Sequence, residues 1–181
     1  MNFTQIMVDI EALDTRPTAA IISIGACKFS WATGVTDTFY INVDGFDSKK
    51  HGLTVNSDTI EWWKKQSKEA IGALTKNPTP VTLKTALEKF SHWVESDKHS
   101  WWCNGANFDF PILLEAYKRV GMEPPWKYYN LNCFRTVVNL FGVNTKKLRA
   151  ADAQSVAHNA IDDVLFQTKT LIGILGEFKN Q

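Results

Sequence analysis

Cysteine is scarce in this sequence, and it occurs in none of the patterns in which it usually does chemistry. Cys27, Cys103 and Cys133 are the 3 cysteines of a 181-residue chain, and no C-x-x-C pair occurs among them. Disulfide frameworks and cysteine-ligated zinc sites need an even number of cysteines or closely spaced pairs. We interpret the cysteines as core thiols in a reducing compartment and expect a cytoplasmic location.

Long apolar stretches are absent as well. No run approaches the roughly 18 consecutive apolar residues of a membrane-spanning helix. The N-terminus shows no basic segment followed by an apolar one, which is the pattern of a signal peptide. We therefore expect neither a membrane span nor a signal peptide, and no membrane partner.

The sequence also lacks an excess of charge of either sign. Its 20 Lys and Arg residues face 19 Asp and Glu residues, so the formal net charge is +1. This balance excludes the overall basic footprint of a protein that coats DNA passively. Local basic clusters occur at residues 49–51, 64–68 and 146–149, and we interpret them as solvated faces rather than phosphate-binding tracks.

What the sequence does contain is the composition of an ordinary globular protein. Hydrophobic residues make up 44% of the chain and charged residues 22%, which supplies enough apolar material for a substantial core. At this length we expect one domain covering residues 1–181.

The first quarter of the chain has the pattern of β-strands. Residues 5–10, 19–29 and 37–43 are rich in β-branched residues or alternate between apolar and polar ones. Turn-forming residues separate the three stretches. Three strands joined by connections this short predict an antiparallel meander.

The pattern then changes to helices that alternate with short strands. The stretch from Asp58 to Glu61 resembles a capping box that opens a short helix carrying Trp62 and Trp63. A meander followed by alternating helices and strands predicts an α/β domain with a mixed central sheet flanked by helices. The other predicted elements are helices at residues 67–74, 83–95, 107–120, 135–141 and 157–175 and strands at residues 100–104 and 130–132.

Two carboxylates lie at the end of the first predicted strand. Residues two apart in a strand project from the same face, so Asp9 and Glu11 point together while Ile10 points away. Two anions held this close repel and raise each other's pKa unless a cation lies between them. Carboxylate oxygens suit magnesium or manganese. The alternative is a frayed strand end with two solvated acids.

Two later sites carry related chemistry. Asp109 falls in the first turn of a predicted helix just after a strand, where a fixed acid can point across the edge of the sheet. Ordinary helix-dipole stabilisation is the alternative there. His158 precedes two acids, Asp162 and Asp163, at the start of the last predicted helix. A lone histidine is more often structural than catalytic, so neither site is decisive by itself.

Together the three sites resemble the DEDDh family of 3′→5′ exonucleases, which have a ribonuclease H-like fold. The family's order is Asp-x-Glu on the first strand, Asp after a later strand, and His-x4-Asp opening a terminal helix. This chain has Asp9-x-Glu11, then Asp109, then His158-x4-Asp163. The resemblance extends over nearly the whole chain, since order, element context and length all agree.

The resemblance implies metal-dependent hydrolysis of phosphodiesters. The family binds two divalent ions, Mg²⁺ or Mn²⁺, about 4 Å apart and cleaves by in-line attack of water. By resemblance, Asp9 would bridge both ions, and Glu11 and Asp163 would complete the site of the ion that activates the nucleophile. Asp109 would hold the second ion near the leaving 3′ oxygen. His158 would be the general base, because an imidazole can take a proton from water near neutral pH.

Within the family, the chain looks most like the RNase T-like exoribonucleases and related phage exonucleases. One departure is that Ala12 and Leu13 stand where many proofreading members have Thr-Gly. The resemblance places this pair just beyond the acids. Leu13 would contact the terminal base there, and its main chain would lie near the 3′-hydroxyl.

Aromatic and basic residues near these sites are candidates for substrate contact. Stacking on an aromatic side chain contributes roughly 1–3 kcal/mol per base, and we expect one of Trp62 and Trp63 to stack, with Trp62 as our choice. For Phe108, stacking on a base and packing in the protein are both open. For Arg135, contact with a phosphate and bracing of the acids are both open.

Helix geometry and family spacing disagree about which acid of the last helix binds metal. A helix turns by about 100° per residue, so Asp162 lies on the same face as His158 and Asp163 lies about 140° away. The family spacing selects Asp163, which requires His158 to lie on a loose first turn outside the regular helix. We adopt Asp163, because a base and a metal ligand need to approach the attacking water from different directions.

The predicted function is release of nucleoside 5′-monophosphates from the single-stranded 3′ ends of RNA or DNA. Two alternatives stay open: an inactive nucleic-acid-binding module of the same fold, and a DNA-specific proofreading or recombination exonuclease. No feature of the sequence reads a 2′-hydroxyl, so RNA and DNA are not separated. The expected partner is a nucleic-acid 3′ end, and a homodimer is left open.

Overall fold

A five-stranded sheet forms the framework of the protein. A computed structural model describes residues 4–76, 79–96, 98–105, 107–151 and 157–179. The strands lie in the order β3-β2-β1-β4-β5, so β1 is central. Their bounds are β1 (Gln5–Ala12), β2 (Ile21–Ser30), β3 (Gly34–Asn42), β4 (Ser100–Cys103) and β5 (Leu131–Cys133).

The sheet is mixed, as the sequence predicts. β1, β2 and β3 pair in antiparallel fashion and form the expected meander. β4 pairs in parallel with β1, and β5 pairs in parallel with β4. The carboxyl ends of β1, β4 and β5 therefore meet at one edge of the sheet, which is where α/β folds carry their sites.

Helices connect and cover the strands, and a 3₁₀ turn at Tyr128–Asn130 precedes β5. The long connections are helical because parallel neighbours need a crossover. The helices of the described residues are α1 (Gly45–Lys50), α2 (Ser57–Trp63), α3 (Lys68–Lys76), α4 (Leu83–Val94), α5 (Asp109–Arg119), α6 (Phe134–Leu140), α7 (Thr145–Ala151) and α8 (Ala160–Lys179).

Two short helices and one helix cap differ from the sequence prediction. Helices α1 and α7 have 6 and 7 residues and bury no apolar side chain, so they show no apolar stripe and are absent from the prediction. The predicted cap of α2 at Asp58 is wrong. Asn56 is the cap instead: its backbone is extended, and its side chain accepts hydrogen bonds from the N–H groups of Asp58 and Thr59.

The alternation of side chains along β1 divides the core in two. Ile6, Val8 and Ile10 are buried on the face that α4 and α5 cover. Met7 is buried on the opposite face, with side chains of α6 and α8. Because the strand has a period of two, the odd-numbered residues that follow Met7 also point toward α8.

Two further features concern the cysteines and the lengths of the helices. None of the three cysteines forms a disulfide bond, and Cys27 and Cys103 are buried whereas Cys133 is half-buried. None of the helices in the described part of the chain combines the length and the apolar character that crossing a bilayer requires.

The start of α8 lies very close to β2 at Gly25. A β-carbon built on this glycine would lie 2.5 Å from the carbonyl oxygen of Ala160 and 2.7 Å from the backbone nitrogen of Ile161. Both distances are shorter than van der Waals contact. Gly25 is also the register partner of Asp9, so the missing side chain lets the first turn of α8 lie over the end of β1.

Replacing Gly25 by alanine is expected to push the start of α8 away from the sheet, because the clash is with backbone atoms. We expect Gly25→Ala to lower the free energy of unfolding by about 1–3 kcal/mol, the usual cost of overpacking, as measured by urea denaturation. Gly173→Ala in the same helix is the matched control, because its β-carbon would have nothing within 4 Å. Equal effects of the two substitutions would contradict the packing account.

Candidate active site

The carboxyl-terminal part of β1 supplies two acids on one face. Asp9 is half-buried and Glu11 is 8% exposed, and both lie inside the strand, which runs two residues further than predicted. Both side chains point toward α8, and the amide of Gln167 on that helix donates to Asp9 Oδ1 at 3.0 Å. The sequence prediction that the pair projects together therefore agrees with the strand geometry.

Asp109 reaches the same edge of the sheet from α5. It is the first residue of that helix and is 2% exposed. Its Oδ1 atom accepts a hydrogen bond from the backbone N–H of Ile10 at 3.2 Å. This bond ties the start of α5 to β1 across 99 residues of sequence and fixes the carboxylate beside the acidic pair.

His158 lies outside the regular helix α8, which begins at Ala160. Its backbone is in the left-handed region, with φ of 63°, a strained conformation for a residue with a β-carbon. The N–H of His158 donates to Asp163 Oδ2 at 3.1 Å, whereas Asp162 Oδ2 accepts from Asn159 at 3.1 Å. The structure thus has the loose turn that the choice of Asp163 requires.

These side chains converge on one cavity of about 870 Å³, which we call the acid cavity. One ligand atom from each of Glu11, His158 and Asp163 lies within 4.8 Å of the other two. Asp9 and Asp109 line the same cavity. Residues that are as much as 154 positions apart in sequence therefore form a single cluster of four carboxylates and an imidazole.

Burial and mutual repulsion make these carboxyl groups hard to ionise. The pKa of Asp9 is raised well above its usual value, first by burial and then by the charges of the other three carboxylates. Burial and the charges of Asp163 and Asp109 raise the pKa of Glu11 in the same way. Four carboxylates this close do not all ionise at neutral pH unless cations join them.

Asp109 and Asp163 each have a cation that offsets part of this effect. Burial raises the pKa of Asp109 to about 7, although the N–H of Ile10 and the guanidinium of Arg135 lower it. Burial also raises the pKa of Asp163, while Arg149 lowers it. An ion pair of 2.5 Å joins Arg149 Nη2 to Asp163 Oδ1.

Gln167 and Arg149 belong to this site but are absent from the sequence prediction. Gln167 is 2% exposed, and its Oε1 atom is buried without a hydrogen-bond partner among the described residues. A signal for it exists, because it follows Asp163 by four residues and so lies on the same face of α8. Arg149 belongs to a helix that is absent from the prediction, and its contact with Asp163 has no sequence signal.

The two adjacent tryptophans have different surroundings. Trp63 is 7% exposed, and its Nε1 atom donates to the carbonyl oxygen of Ala12 at 3.0 Å. Trp62 is 41% exposed and meets the ring of His158 edge-on, with ring centroids 4.7 Å apart. Both tryptophans line the acid cavity. Trp63 is held by its hydrogen bond to the protein, whereas Trp62 leaves a larger part of its ring exposed.

The other predicted substrate residues lie at or near the acid cavity. Ala12, Phe108 and Arg135 line it, and Arg135 Nη2 donates to the carbonyl oxygen of Asn104 at 2.9 Å. Leu13 is the exception, because it lines a neighbouring apolar cavity instead. Arg135 therefore braces the loop after β4 and lowers the pKa of Asp109.

The sequence matches a known family and a phage relative. Residues 4–175 match the family model described as the 3′-5′ exoribonuclease Rv2179c-like domain. An exodeoxyribonuclease of enterobacteria phage T4 is 30% identical over 127 residues, which cover 63% of this chain and 56% of the phage protein. The match thus spans little more than half the length of that relative.

The fold is similar to solved exonuclease structures. The nuclease domain of 3′hExo, a DEDDh family member bound to rAMP, superposes with a TM-score of 0.67 at 14% identity, over 97% of this chain and 93% of that one. Escherichia coli exonuclease I in complex with single-stranded DNA gives a TM-score of 0.69 at 12% identity, over 100% of this chain and 42% of that one. Identities this low establish the ribonuclease H-like fold alone.

The family model covers nearly the whole chain, and the order of the acids and the sheet topology agree with it. The chain belongs to the DEDDh 3′→5′ exonucleases, within the family of the 3′-5′ exoribonuclease Rv2179c-like domain.

Proposed function

We propose that the protein is a metal-dependent 3′→5′ exonuclease that releases nucleoside 5′-monophosphates from single-stranded ends of RNA or DNA. The observation that carries this proposal is the convergence of four carboxylates and one imidazole on a single open cavity. Family membership supports the reaction class. A module without catalytic activity would gain nothing from a buried cluster of like charges, which costs stability.

The donor set of the acid cavity fits two hard divalent cations, Mg²⁺ or Mn²⁺. All four carboxylates offer oxygen ligands, the type that these cations prefer, and their raised pKa values indicate missing positive charge. Asp9 would be shared between the two cations, Glu11 and Asp163 would complete one site, and Asp109 would complete the other. When bound, such cations stabilise the charge that develops on a phosphodiester during attack by water.

His158 would act as the general base. Its backbone N–H is held by Asp163 and its ring by Trp62, so the imidazole is fixed at the edge of the acid cavity. It would take a proton from the water that attacks the phosphorus of the last phosphodiester. The bond from phosphorus to the 3′ oxygen of the preceding nucleotide would break, and that oxygen would take a proton from solvent.

The walls of the acid cavity would position the terminal nucleotide. Trp62 and Phe108 would contact its base, since both present aromatic rings to the cavity. The main chain of Ala12, which Trp63 fixes through its indole, would lie near the 3′-hydroxyl, with Leu13 behind it. Arg135 would contribute positive charge beside the bound strand.

The names of the relatives point to different sugars. The family model carries the description exoribonuclease, whereas the phage relative is named an exodeoxyribonuclease. We therefore propose activity on single-stranded ends of either nucleic acid, and matched RNA and DNA oligonucleotides would rank them. The single domain, the cytoplasmic location and the homodimer stay predictions.

The metal-free protein should be less stable at pH 8 than at pH 5. Because the pKa values of the buried acids are raised, the folded state binds more protons than the unfolded state above about pH 4, and stability falls as pH rises toward about 7 and beyond. Asp9→Asn removes one of these charges, so it should raise the melting temperature of the metal-free protein at pH 8 by about 2–8 °C. Differential scanning calorimetry measures this shift.

Divalent metal should make the wild type more stable than Asp9→Asn at pH 8. Mn²⁺ should stabilise the wild type by binding to the folded state and should stabilise Asp9→Asn much less. Glu88→Gln is the control, because Glu88 is an exposed carboxylate of α4 that does not line the acid cavity. A wild type without pH dependence between pH 5 and 8 and without a response to Mn²⁺ would refute the metal site.

The purified protein should shorten a 5′-labelled single strand one nucleotide at a time in the presence of Mg²⁺ or Mn²⁺. Gel electrophoresis should show a ladder of shortened strands, and chromatography should show nucleoside 5′-monophosphates. A chelator should stop the reaction, and a 3′-phosphate should block it, because the site receives a free 3′-hydroxyl. Internal cleavage products, or full activity in chelator, would rule the proposal out.

Two adjacent acids provide a matched pair for this assay. Asp163→Asn should lose nearly all activity, because Asp163 lies beside His158 and Glu11 in the acid cavity. Asp162→Asn should keep most of it, because the Asp162 carboxylate instead accepts a hydrogen bond from Asn159. The reverse order would show that the wrong acid has been assigned.

A further inference from the structure

A second cavity adjoins the acid cavity and has the opposite charge. It has a volume of about 240 Å³, and Arg135, Lys146 and Arg149 line both cavities. Among the described residues that line the second cavity, none is a carboxylate. We call it the cation cavity. Three cations therefore lie immediately beside a cluster of four acids.

Arg149 lies between the two cavities, and one nitrogen of its guanidinium lacks a hydrogen-bond acceptor among the described residues. Its Nη2 atom pairs with Asp163, and its guanidinium lies 4.2 Å from the centroid of the Phe166 ring. Its Nη1 atom is buried and has no hydrogen-bond partner among the described residues. A buried donor without an acceptor costs free energy. Binding of an acceptor beside this guanidinium, with rotation of the side chain toward it, would recover that free energy.

The other two cations are placed around the same space. The guanidinium of Arg135 packs on the backbone at Gly105, where a β-carbon would lie 3.2 Å from it, and it is anchored through the carbonyl oxygen of Asn104. Lys146 is exposed on α7, three residues before Arg149, so both lie on one face of that helix. An anchored guanidinium, a partly buried guanidinium and an exposed ammonium thus surround one small volume.

We propose that the cation cavity binds a backbone phosphate of the nucleic-acid strand, with Arg149 and Lys146 as ligands in addition to Arg135. This inference rests on the proposed function. A strand whose 3′ end lies in the acid cavity must continue past the carboxylates, and its phosphates need positive charge there. Guanidinium groups suit phosphate oxygens because of their planar, forked donors.

This proposal revises the interpretation of residues 146–149 as a solvated face. Only Lys147 fits that interpretation, because it is exposed and lines neither cavity. Lys146 and Arg149 lie on the cavity side of the same short helix. Lys147 therefore provides a matched control that carries the same charge, on the same helix, outside the site.

Binding of a labelled single strand without divalent metal tests the proposal apart from hydrolysis. Fluorescence anisotropy in chelator, at several salt concentrations, would compare wild type with Arg149→Ala, Lys146→Ala and Lys147→Ala. We expect Arg149→Ala to weaken binding about tenfold and each of the first two substitutions to reduce the slope of log affinity against log salt by about 0.7. Lys147→Ala should match the wild type.

A second substitution at Arg149 separates the effect of its charge from the effect of its donor geometry. Arg149→Lys keeps the charge but loses the forked donors, so it should restore the salt slope and recover only part of the affinity.

Because Lys146 is exposed, Lys146→Ala remains a test even where loss of the ion pair to Asp163 destabilises Arg149→Ala. Thermal unfolding of each variant would establish that it is folded.

The phosphate could come from the bound strand or from the released mononucleotide, and two probes separate these sources. Arg149→Ala should weaken the binding of a strand of about ten nucleotides by a larger factor than the binding of a nucleoside 5′-monophosphate. Equal loss for both probes would mean that the cavity holds product and would overturn the assignment to the strand.

The outcomes also separate this inference from the proposed function. If the wild type binds and shortens the strand but Arg149→Ala and Lys146→Ala bind as well as Lys147→Ala, the phosphate site is wrong and the exonuclease proposal stands. If the wild type neither binds nor shortens single strands of RNA or DNA, the proposed function itself is wrong.

Discussion

Repulsion among four carboxylates that line one cavity is the constraint on which the rest of the structure depends. Asp9, Glu11, Asp109 and Asp163 come from three different elements, and burial raises the pKa of each. The charges of the neighbouring carboxylates raise the pKa of Asp9 and Glu11 further. Such a cluster is unfavourable for folding by itself. The hydrophobic layers on the two faces of the sheet, one on each face, supply the stability that keeps the acids together.

Backbone contacts, rather than side-chain packing alone, set the positions of these acids. Gly25 lets the start of α8 lie against β2, and the N–H of Ile10 fixes Asp109. The left-handed turn at His158 carries its imidazole outside the helix while its N–H holds Asp163. Positive charge is kept just outside the cluster, where Arg149 spans the boundary between the two cavities.

Much of the framework could be predicted from the sequence, because strands with a period of two and long amphipathic helices leave a clear pattern. The order of Asp9, Glu11, Asp109 and Asp163 indicated the family for the same reason, since each acid lies at a definite end of such an element. Short helices that bury no apolar side chain leave no such pattern, so α1 and α7 are absent from the prediction. The sequence also places the cap of α2 at Asp58 instead of Asn56.

Contacts between segments that are distant in the sequence could not be predicted from it either. The ion pair of Arg149 joins α7 to α8, and the different exposures of Trp62 and Trp63 depend on how α2 packs against Ala12. Leu13 lines the neighbouring apolar cavity and follows the point between Glu11 and Ala12 where the strand pairing shifts register. Each of these features depends on three-dimensional packing that no single stretch of sequence encodes.

The central claim is that the four carboxylates hold two divalent cations, and anomalous X-ray diffraction from crystals grown with Mn²⁺ tests it most directly. The account predicts two anomalous peaks in the acid cavity, with Asp9 in contact with both, Glu11 and Asp163 in contact with one, and Asp109 in contact with the other. Absence of any peak in this cavity at saturating Mn²⁺, or a peak held only by other side chains, would contradict it.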